Sequence, residues 1–308
     1  MSYYLVTGGA GFVGSALARK LLELGHEVWI IDNLSTGVEE NIPSNATFIL
    51  GDCSKQGTID QLGNKYFDAI FHIAGQSSGE ISFEDPLYDI DCNTISTLLL
   101  LQYAVRTKCS RMVYASTMSV YGDNEKQVVS EVDIPNPKSF YAVGKLASEN
   151  YLKIFNQVYG LNYTILRYFN IYGPGQNMNN MKQGMVSIYL KQLLSDDYES
   201  IIVKGSLSRF RDFVYIEDLI GITINSIELE SMKNQIFNVG TGIKTTILDL
   251  LKLLMRFTKI EKPILVEGGT LGDQFGIFAE NSKLLNSTEC NFTPVEKGLE
   301  LFVDSHLK

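Results

Sequence analysis

The chain has 308 residues, of which 45% are hydrophobic and 20% are charged, and its formal net charge is −9. Such a chain is long enough for one large core or two domains, and its composition is that of a soluble globular protein. The acidic balance argues against a general affinity for DNA, RNA or anionic membranes, each of which requires a basic surface. A local site for a phosphate-bearing small ligand remains compatible with it.

Cysteine and histidine are both scattered along the chain. The four cysteines form no CxxC pair, which indicates reduced thiols rather than a disulfide framework. The three histidines show no metal-ligand spacing, so we expect no metal. The N-terminal residues lack the pattern of a signal peptide, and no apolar run approaches the length of a membrane span. We therefore expect a cytoplasmic protein with neither a membrane nor a nucleic-acid partner.

Short β-rich segments alternate with helix-length segments through the first half of the chain. Strands are expected at Tyr3–Thr7, Glu27–Ile31, Thr47–Leu50, Asp68–Ile73, Arg111–Ala115 and Asn162–Tyr168. Helices are expected at Phe12–Leu24, Thr94–Thr107 and Tyr141–Tyr159. Near-continuous apolar strands separated by helices predict an α/β fold, a doubly wound parallel sheet of the Rossmann type covered on both faces.

The pattern changes after about residue 172. The sequence YGPGQNMNN (172–180) is a loop rich in glycine and asparagine, and it is a candidate domain junction. The segments expected beyond it are helices near 183–195, 246–257 and 294–303, and strands at 201–203 and 235–240. They predict a smaller C-terminal domain interleaved with the last strands of the first.

A glycine-rich segment, VTGGAGFVG (6–14), lies between the first strand and the first helix. Gly8, Gly11 and Gly14 have the spacing that lets a backbone turn tightly and approach a pyrophosphate at a helix N-terminus. Asp32 ends the second strand, where a carboxylate accepts hydrogen bonds from an adenosine ribose and repels a 2′-phosphate. The pattern predicts a dinucleotide site that favours NAD over NADP. The alternatives are a structural turn and a solvated strand end.

A tyrosine and a lysine begin the segment YAVGKLASEN (141–150), four residues apart on one helix face. A cation beside a phenol lowers the phenol pKa and makes Tyr141 a usable base near neutral pH. Upstream, YASTMSVYGD (114–123) places several hydroxyl groups at the end of a strand. The alternative for Tyr141 and Lys145 is an ordinary surface pair.

Together these motifs resemble those of the extended short-chain dehydrogenases/reductases, in the nucleotide-sugar epimerase/dehydratase group. The matching segments are TGGAGFVG (7–14), DNLSTG (32–37), GD (51–52), FHIAGQ (71–76), STMSVYG (116–122), YAVGK (141–145), LRYFNIYGPGQ (166–176), RDFVYIEDL (211–219) and FNVGTG (237–242). The resemblance implies an NAD-binding Rossmann domain at 1–172, joined by later strands from about 212–245. It implies that 173–308 is mainly a substrate-binding domain.

The resemblance also implies which residues bind the cofactor NAD. They are Gly8, Gly11, Phe12, Val13, Gly14, Asp32, Asn33, Asp52, Cys53, Ala74, Gly75, Gln76, Asn93, Tyr141, Lys145 and Tyr168. The three glycines of the turn would hold the pyrophosphate and Asp32 the adenosine ribose, with Asp52 and Cys53 near the adenine. Ala74 and Gly75 would line the cleft, at a place where the family more often has two alanines.

Three residues are implied to carry the catalysis. Lys145 would bind the nicotinamide ribose and lower the pKa of Tyr141. Tyr141 would exchange a proton with a sugar hydroxyl, and Thr117 would polarise the same oxygen. Asn170 and Arg211 match the positions that grip the diphosphate of a nucleotide-sugar substrate.

The residues after Thr117 indicate which of the reactions of this family is expected. Dehydratases and decarboxylases of the group have a carboxylate there, whereas this chain has Met118 and Ser119, neither of which is an acid or base at neutral pH. Water elimination and decarboxylation are therefore disfavoured. The remaining expectation is a nucleotide-sugar 4-epimerase of the UDP-glucose/galactose type, which oxidises C4 to a ketone and reduces it from the opposite face.

Two alternatives remain open. One is a nucleotide-sugar ketoreductase or 2-epimerase on the same scaffold, and the other is a non-catalytic NAD-binding protein. One departure concerns the substrate, because Thr270 stands where relatives have a second diphosphate arginine. Either Arg209 or Lys204 replaces it, or the natural substrate differs from a UDP-hexose.

A homodimer is also expected. In relatives the helices matching Thr94–Thr107 and Tyr141–Tyr159 pair with their copies. The apolar sequence of 93–105 suits a helix buried on more than one face.

Overall fold

A seven-stranded parallel sheet forms the centre of the protein in the computed structural model, which describes residues 1–269 and 274–307. Its strands are β1 (Tyr3–Thr7), β2 (Glu27–Asp32), β3 (Thr47–Leu50), β4 (Ala69–His72), β5 (Arg111–Thr117), β7 (Asn162–Tyr168) and β12 (Gln235–Val239), in the order β12-β7-β5-β4-β1-β2-β3. The chain order reverses between β1 and β4, which creates a crevice at the carboxyl ends of these two strands.

Within the described residues, eight further strands pair two by two outside this sheet. They are β6 (Val128–Val129), β8 (Asn170–Tyr172), β9 (Ile201–Lys204), β10 (Phe210–Arg211), β11 (Phe213–Tyr215), β13 (Thr245–Thr246), β14 (Ile264–Glu267) and β15 (Phe278–Ala279). The pair β10 and β13 is antiparallel, and the pairs β8–β11, β9–β14 and β6–β15 are parallel. Of these strands, β8, β10 and β11 contribute residues to the wall of the crevice.

Helices cover both faces of the sheet. They are α1 (Phe12–Glu23), α2 (Gln56–Asp60), α3 (Gly79–Glu84), α4 (Pro86–Ile90), α5 (Ser96–Arg106), α6 (Phe140–Tyr159), α7 (Met185–Leu194), α8 (Ile216–Glu228), α9 (Ile247–Thr258), α10 (Ser282–Ser287) and α11 (Val295–Leu307). In the described part of the chain, no helix has the length and apolar character needed to cross a bilayer.

Alternation along the strands places the core on both faces. In β1, Tyr4 and Val6 belong to the apolar cluster that contains α1 and α8, whereas Leu5 belongs to the cluster that contains α5. Because successive side chains of a strand point to opposite faces, a sheet covered twice requires apolar residues at nearly every position. The expected Rossmann fold is confirmed.

The predicted elements occur with small shifts at their ends. The largest concerns the helix expected at Thr94–Thr107, which is preceded by α4 and by a π-helical turn, Asp91–Ile95. Pro86 occupies the first turn of α4, and the Asp85 carboxylate caps it by accepting from Tyr88 N at 3.0 Å. Proline lacks the N–H that is unsatisfied at a helix start, so this segment begins a helix earlier than its apolar pattern indicates.

Candidate active site

The crevice at the carboxyl ends of the strands opens into a cavity of about 620 Å³. The expected cofactor residues that line it are Gly8, Gly11, Phe12, Val13, Gly14, Asp32, Asn33, Asp52, Cys53, Ala74, Gly75, Gln76, Tyr141, Lys145 and Tyr168. The expected catalytic and substrate residues Thr117, Asn170 and Arg211 line the same cavity. One concave site therefore brings together residues from nearly the whole chain, as in a small-molecule enzyme.

The glycine-rich turn is closed so tightly that side chains are excluded from it. Gly8 has φ +72°, and Gly11 N donates to Gly8 O at 3.1 Å. A Cβ on Gly14 would lie 2.1 Å from Gly8 O. The first turn of α1 consequently faces the cavity with its backbone N–H groups, which can bind a pyrophosphate.

We expect Gly14→Ala to weaken NAD binding about 10- to 100-fold, because the overpacked turn must shift at a cost of about 1–3 kcal/mol. Isothermal titration with NAD measures this change. Gly221→Ala, in α8, is the matched control, since no atom lies within 4 Å of its added Cβ. Equal affinities in the two variants would contradict a pyrophosphate site at this turn.

Asp32 is buried at the end of β2, and backbone N–H groups orient it. Its Oδ2 accepts from Ala10 N at 2.9 Å and its Oδ1 from Leu34 N at 2.8 Å. Each oxygen keeps a second lone pair, so the carboxylate can still accept from ribose hydroxyls. The residues of the crevice thus fit NAD: a backbone turn for the pyrophosphate, a carboxylate for the ribose, and Lys145 at the far end.

Tyr141, Thr117 and Lys145 meet where α6 crosses the end of β5. The Thr117 hydroxyl lies beside the Tyr141 phenol and lowers its pKa. Lys145 lies one helical turn after Tyr141, and its Nζ donates to Ala115 O at 3.0 Å. All three side chains are more than nine-tenths buried. A hydroxyl donor, a phenol and an ammonium group therefore surround one end of the cavity.

Burial dominates the pKa values of Tyr141 and Lys145. It raises the pKa of Tyr141 to about 12, while the neighbouring Thr117 hydroxyl lowers that pKa and Asp89 raises it further. Burial lowers the pKa of Lys145 to about 8. Lys145 Nζ donates to Ala115 O and lies 6.0 Å from the centroid of the Tyr141 ring.

Asn93 is the one expected cofactor residue that does not line the cavity. It is buried in the π-helical turn behind the cavity wall, where its Nδ2 donates to Gln76 O at 2.9 Å and to Asp89 Oδ1 at 3.0 Å. Its Oδ1 has no hydrogen-bond partner within residues 1–269 and 274–307. Asn93 therefore supports Gln76 and the wall from behind.

The substrate end of the cavity contains Met118, Ser119, Asn170 and Arg211. Asn170 Nδ2 donates to Asp212 O at 3.2 Å and contacts Met118 Sδ at 3.6 Å. Arg211 Nη1 donates to Phe210 O at 2.8 Å, and burial beside Arg209 lowers the pKa of Arg211 to about 10. Arg211 is thus a cation beside the cavity at neutral pH, suited to a phosphate.

The position of the expected missing arginine, Thr270, lies outside the described residues. Of its two suggested replacements, Arg209 donates to Lys204 O, and Lys204 Nζ lies 3.8 Å from a carboxylate oxygen of Glu80. Neither is among the residues that line the cavity.

The cavity wall also contains residues that were not predicted. Gln183 is one of them, and the loop interpreted as a domain junction, 172–180, contributes the amide side chains of Gln176, Asn177 and Asn180. Its abundance of side chains that both donate and accept hydrogen bonds was the available signal, because sugar hydroxyls require such partners.

The chain was compared with known proteins. The sequence model of the NAD dependent epimerase/dehydratase family matches residues 4–240. The UDP-glucose 4-epimerase of Mycolicibacterium smegmatis is 35% identical over 80% of this chain and 79% of its own length. The CDP-paratose 2-epimerase of Salmonella typhi is 30% identical over 83% and 86%. The structure of UDP-glucose 4-epimerase from Thermotoga maritima with UDP-glucose superposes with a TM-score of 0.93 at 33% identity, covering 99% of this chain and 98% of that one.

This chain belongs to the NAD dependent epimerase/dehydratase family. The expected enzyme class, an NAD-dependent nucleotide-sugar 4-epimerase, is confirmed by these relatives and by the shared fold. The cofactor is NAD, and the substrate is a nucleotide sugar.

Proposed function

We propose that the enzyme interconverts UDP-glucose and UDP-galactose by inverting C4 of the hexose. The observation that carries this proposal is the neighbouring pair of Thr117 and Tyr141 in the cavity, followed along the chain by Met118 and Ser119. The pair can move one proton at a sugar hydroxyl, and no carboxylic acid follows it to expel water. The names of the relatives support a UDP-hexose as the substrate.

Tyr141 is the proposed acid and base. In the forward step the phenolate form of Tyr141, a minor form at pH 7, accepts the proton of the C4 hydroxyl, while the Thr117 hydroxyl donates a hydrogen bond to the same oxygen. NAD, when bound, supplies the hydride acceptor and donor beside C4. In the return step Tyr141 gives the proton back to the oxygen of the 4-ketose, now presented on its other face. Burial of all three side chains keeps bulk water from the ketone.

The remaining site residues have binding roles in this proposal. Lys145 donates to the nicotinamide ribose, and the cofactor residues named above hold the dinucleotide, with Asn93 acting through Gln76. Asn170 and Arg211 bind the substrate diphosphate. Residues 1–172, with the strands of about 212–245, form the NAD-binding domain, and 173–308 form mainly the substrate-binding domain. Four free cysteines suit a cytoplasmic enzyme.

A panel of nucleotide sugars tests the substrate. The purified enzyme is incubated with UDP-, dTDP-, CDP- and GDP-hexoses, and the sugar stereochemistry is followed by proton NMR. We expect conversion of UDP-glucose and UDP-galactose into one another, with inversion at C4 only. A protein that holds NAD but inverts C2 of a CDP-sugar would favour the second candidate, a 2-epimerase, which the Salmonella relative supports.

We further propose a homodimer in which α6 packs against its copy. One side of α6 carries apolar side chains that are at least one-third exposed: Phe140, Val143, Tyr151, Ile154 and Val158. Their spacing of three, four or eleven residues places them on one stripe. Leu87 and Ile90 of α4 are also exposed, and α4 packs against α6. A continuous apolar surface of this kind is typical of a subunit interface.

The variant Val143→Glu/Ile154→Glu is expected to be monomeric, because two carboxylates on the stripe repel their copies across the interface. Light scattering after size-exclusion chromatography measures the molar mass. Val132→Glu is the control, since Val132 is 91% exposed outside these helices. A wild-type monomer, or a double variant that stays dimeric, would contradict the proposed interface.

A further inference from the structure

A buried carboxyl group lies behind the catalytic face of α6, and the reaction described above does not use it. Asp89 of α4 has no solvent-exposed surface. Its Oδ1 accepts from Gln76 Nε2 at 2.8 Å and from Asn93 Nδ2 at 3.0 Å. Its Oδ2 has no hydrogen-bond partner within the described residues. A carboxylate buried with one oxygen unpaired is costly unless a cation lies nearby.

Burial raises the pKa of Asp89, while its hydrogen bonds with Gln76 and Asn93 and the charge of Lys145 on α6 lower it. A Cβ on Gly144 would lie 3.4 Å from Asp89 Oδ2, so the helix approaches the carboxyl group without an intervening side chain. The next residue along α6 is Lys145. A Cβ added to Gly75 would lie 3.1 Å from Lys145 Nζ and 2.5 Å from Asn93 Oδ1. Lys145 and the Asp89–Asn93 pair therefore meet behind the same short stretch of the cavity wall.

Other titratable groups around Lys145 come from four parts of the fold. They are His72 on β4, Cys92 in the π-helical turn, Tyr114 on β5 and Tyr141 on α6. Burial lowers the pKa of His72 to about 3 and raises the pKa values of Cys92, Tyr114 and Tyr141, so all four are neutral at pH 7. Of the charges that support the Lys145 ammonium group, Asp89 has the largest effect.

We propose that Asp89 is a positioning residue of the epimerase, whose carboxylate keeps the Lys145 ammonium group charged and fixes the Gln76 side chain at the cavity wall. The fixed position of the Gln76 side chain follows from its hydrogen bonds. Its Nε2 donates to Ser78 O at 2.7 Å as well as to Asp89, and its Oε1 accepts from Ser78 N. The inference rests on the proposed function, because it concerns the lysine that acts beside Tyr141.

Replacing the Asp89 carboxylate with a neutral amide changes the pKa values of Lys145 and Tyr141. Asp89 raises the pKa values of Lys145 and of Tyr141, so Asp89→Asn lowers both. The base then forms at lower pH, and the ammonium group is also lost at lower pH. The pH profile of kcat is therefore expected to move to lower pH. A residue with a purely structural role would lower activity or stability without moving the profile.

The test compares Asp89→Asn with the matched control Asp91→Asn. Asp91 has the same charge but lies in an exposed ion pair with Lys55 at 2.8 Å. The first readout is the pH profile of kcat. The second is the ultraviolet titration of the Tyr141 tyrosinate without substrate, with Tyr141→Phe in each background as the blank. We expect both to shift in Asp89→Asn and neither in Asp91→Asn. Unchanged profiles and titrations in Asp89→Asn would overturn the proposal.

A wild-type measurement covers the case in which Asp89→Asn does not fold. The lysine side chains are labelled with ¹³C, and the Lys145 ε-carbon is followed by NMR from pH 6 to 10. An ammonium group at pH 7 is expected, and a neutral amine there would overturn the proposal. The tyrosinate and lysine titrations need no substrate. Failure of the epimerase assay alone would therefore count against the proposed function and not against the role of Asp89.

Discussion

Tyr141→Phe is expected to lower kcat by about 10³-fold, because it removes the group that moves the proton at the sugar hydroxyl. The ring remains, so the cavity wall keeps its shape. Steady-state kinetics with UDP-galactose and titration with NAD together separate lost chemistry from lost cofactor.

Tyr66→Phe is the matched control for this experiment. It removes the same hydroxyl from an exposed tyrosine that is hydrogen-bonded to Ser110 at 2.8 Å, at the opposite end of β5 from Thr117. We expect unchanged kcat in this variant. Turnover by Tyr141→Phe equal to that of the wild type would remove Tyr141 from the mechanism.

Arg167→Met is expected to destabilise the fold by about 3–5 kcal/mol, because it leaves a buried carboxylate without its cation. Arg167 on β7 donates to Glu149 on α6 through Nη2 at 2.6 Å and through Nε at 2.9 Å. Both side chains are at most 2% exposed. Glu149 also accepts from Ser116 at 2.5 Å, beside Thr117, so this pair anchors α6 to the catalytic end of β5. Urea unfolding followed by circular dichroism measures the loss.

Arg256→Met provides the comparison on the surface. Its ion pair with Glu296 is more than half exposed on both sides, so we expect a change of about 0–1 kcal/mol. Adding Glu149→Leu to Arg167→Met should recover much of the lost stability, because it removes the buried carboxylate that had lost its cation. Equal effects of Arg167→Met and Arg256→Met would show that the buried pair does not hold these elements together.

The parts of the fold that local rules determine were predictable. A few neighbouring residues determine each of three features: the apolar strands covered on both faces, the tight glycine turn, and the spacing of Tyr141 and Lys145. Because parallel strands bring their carboxyl ends to one edge, these motifs also predicted where the cavity lies. Residues from Gly8 to Arg211 line it accordingly.

Contacts between distant segments were not predictable. The amide-rich loop after residue 172 follows β8, which pairs with the distant strand β11. No local sequence pattern predicts this pairing. The orientation of Lys145 toward Ala115 O depends on the distance between α6 and β5. The burial of Asp89 depends on the close approach of α4 to α6 at Gly144. In each case the decisive quantity is a packing distance between elements far apart in sequence.

In the proposed reaction one enzyme-bound sugar is oxidised and reduced at the same carbon. To test this, UDP-galactose carrying deuterium at C4 is incubated with the enzyme in ordinary water, and the UDP-glucose formed is examined by NMR and mass spectrometry. We expect UDP-glucose that retains the deuterium at C4. UDP-glucose that has exchanged this deuterium for solvent hydrogen, or inversion at another carbon, would contradict it.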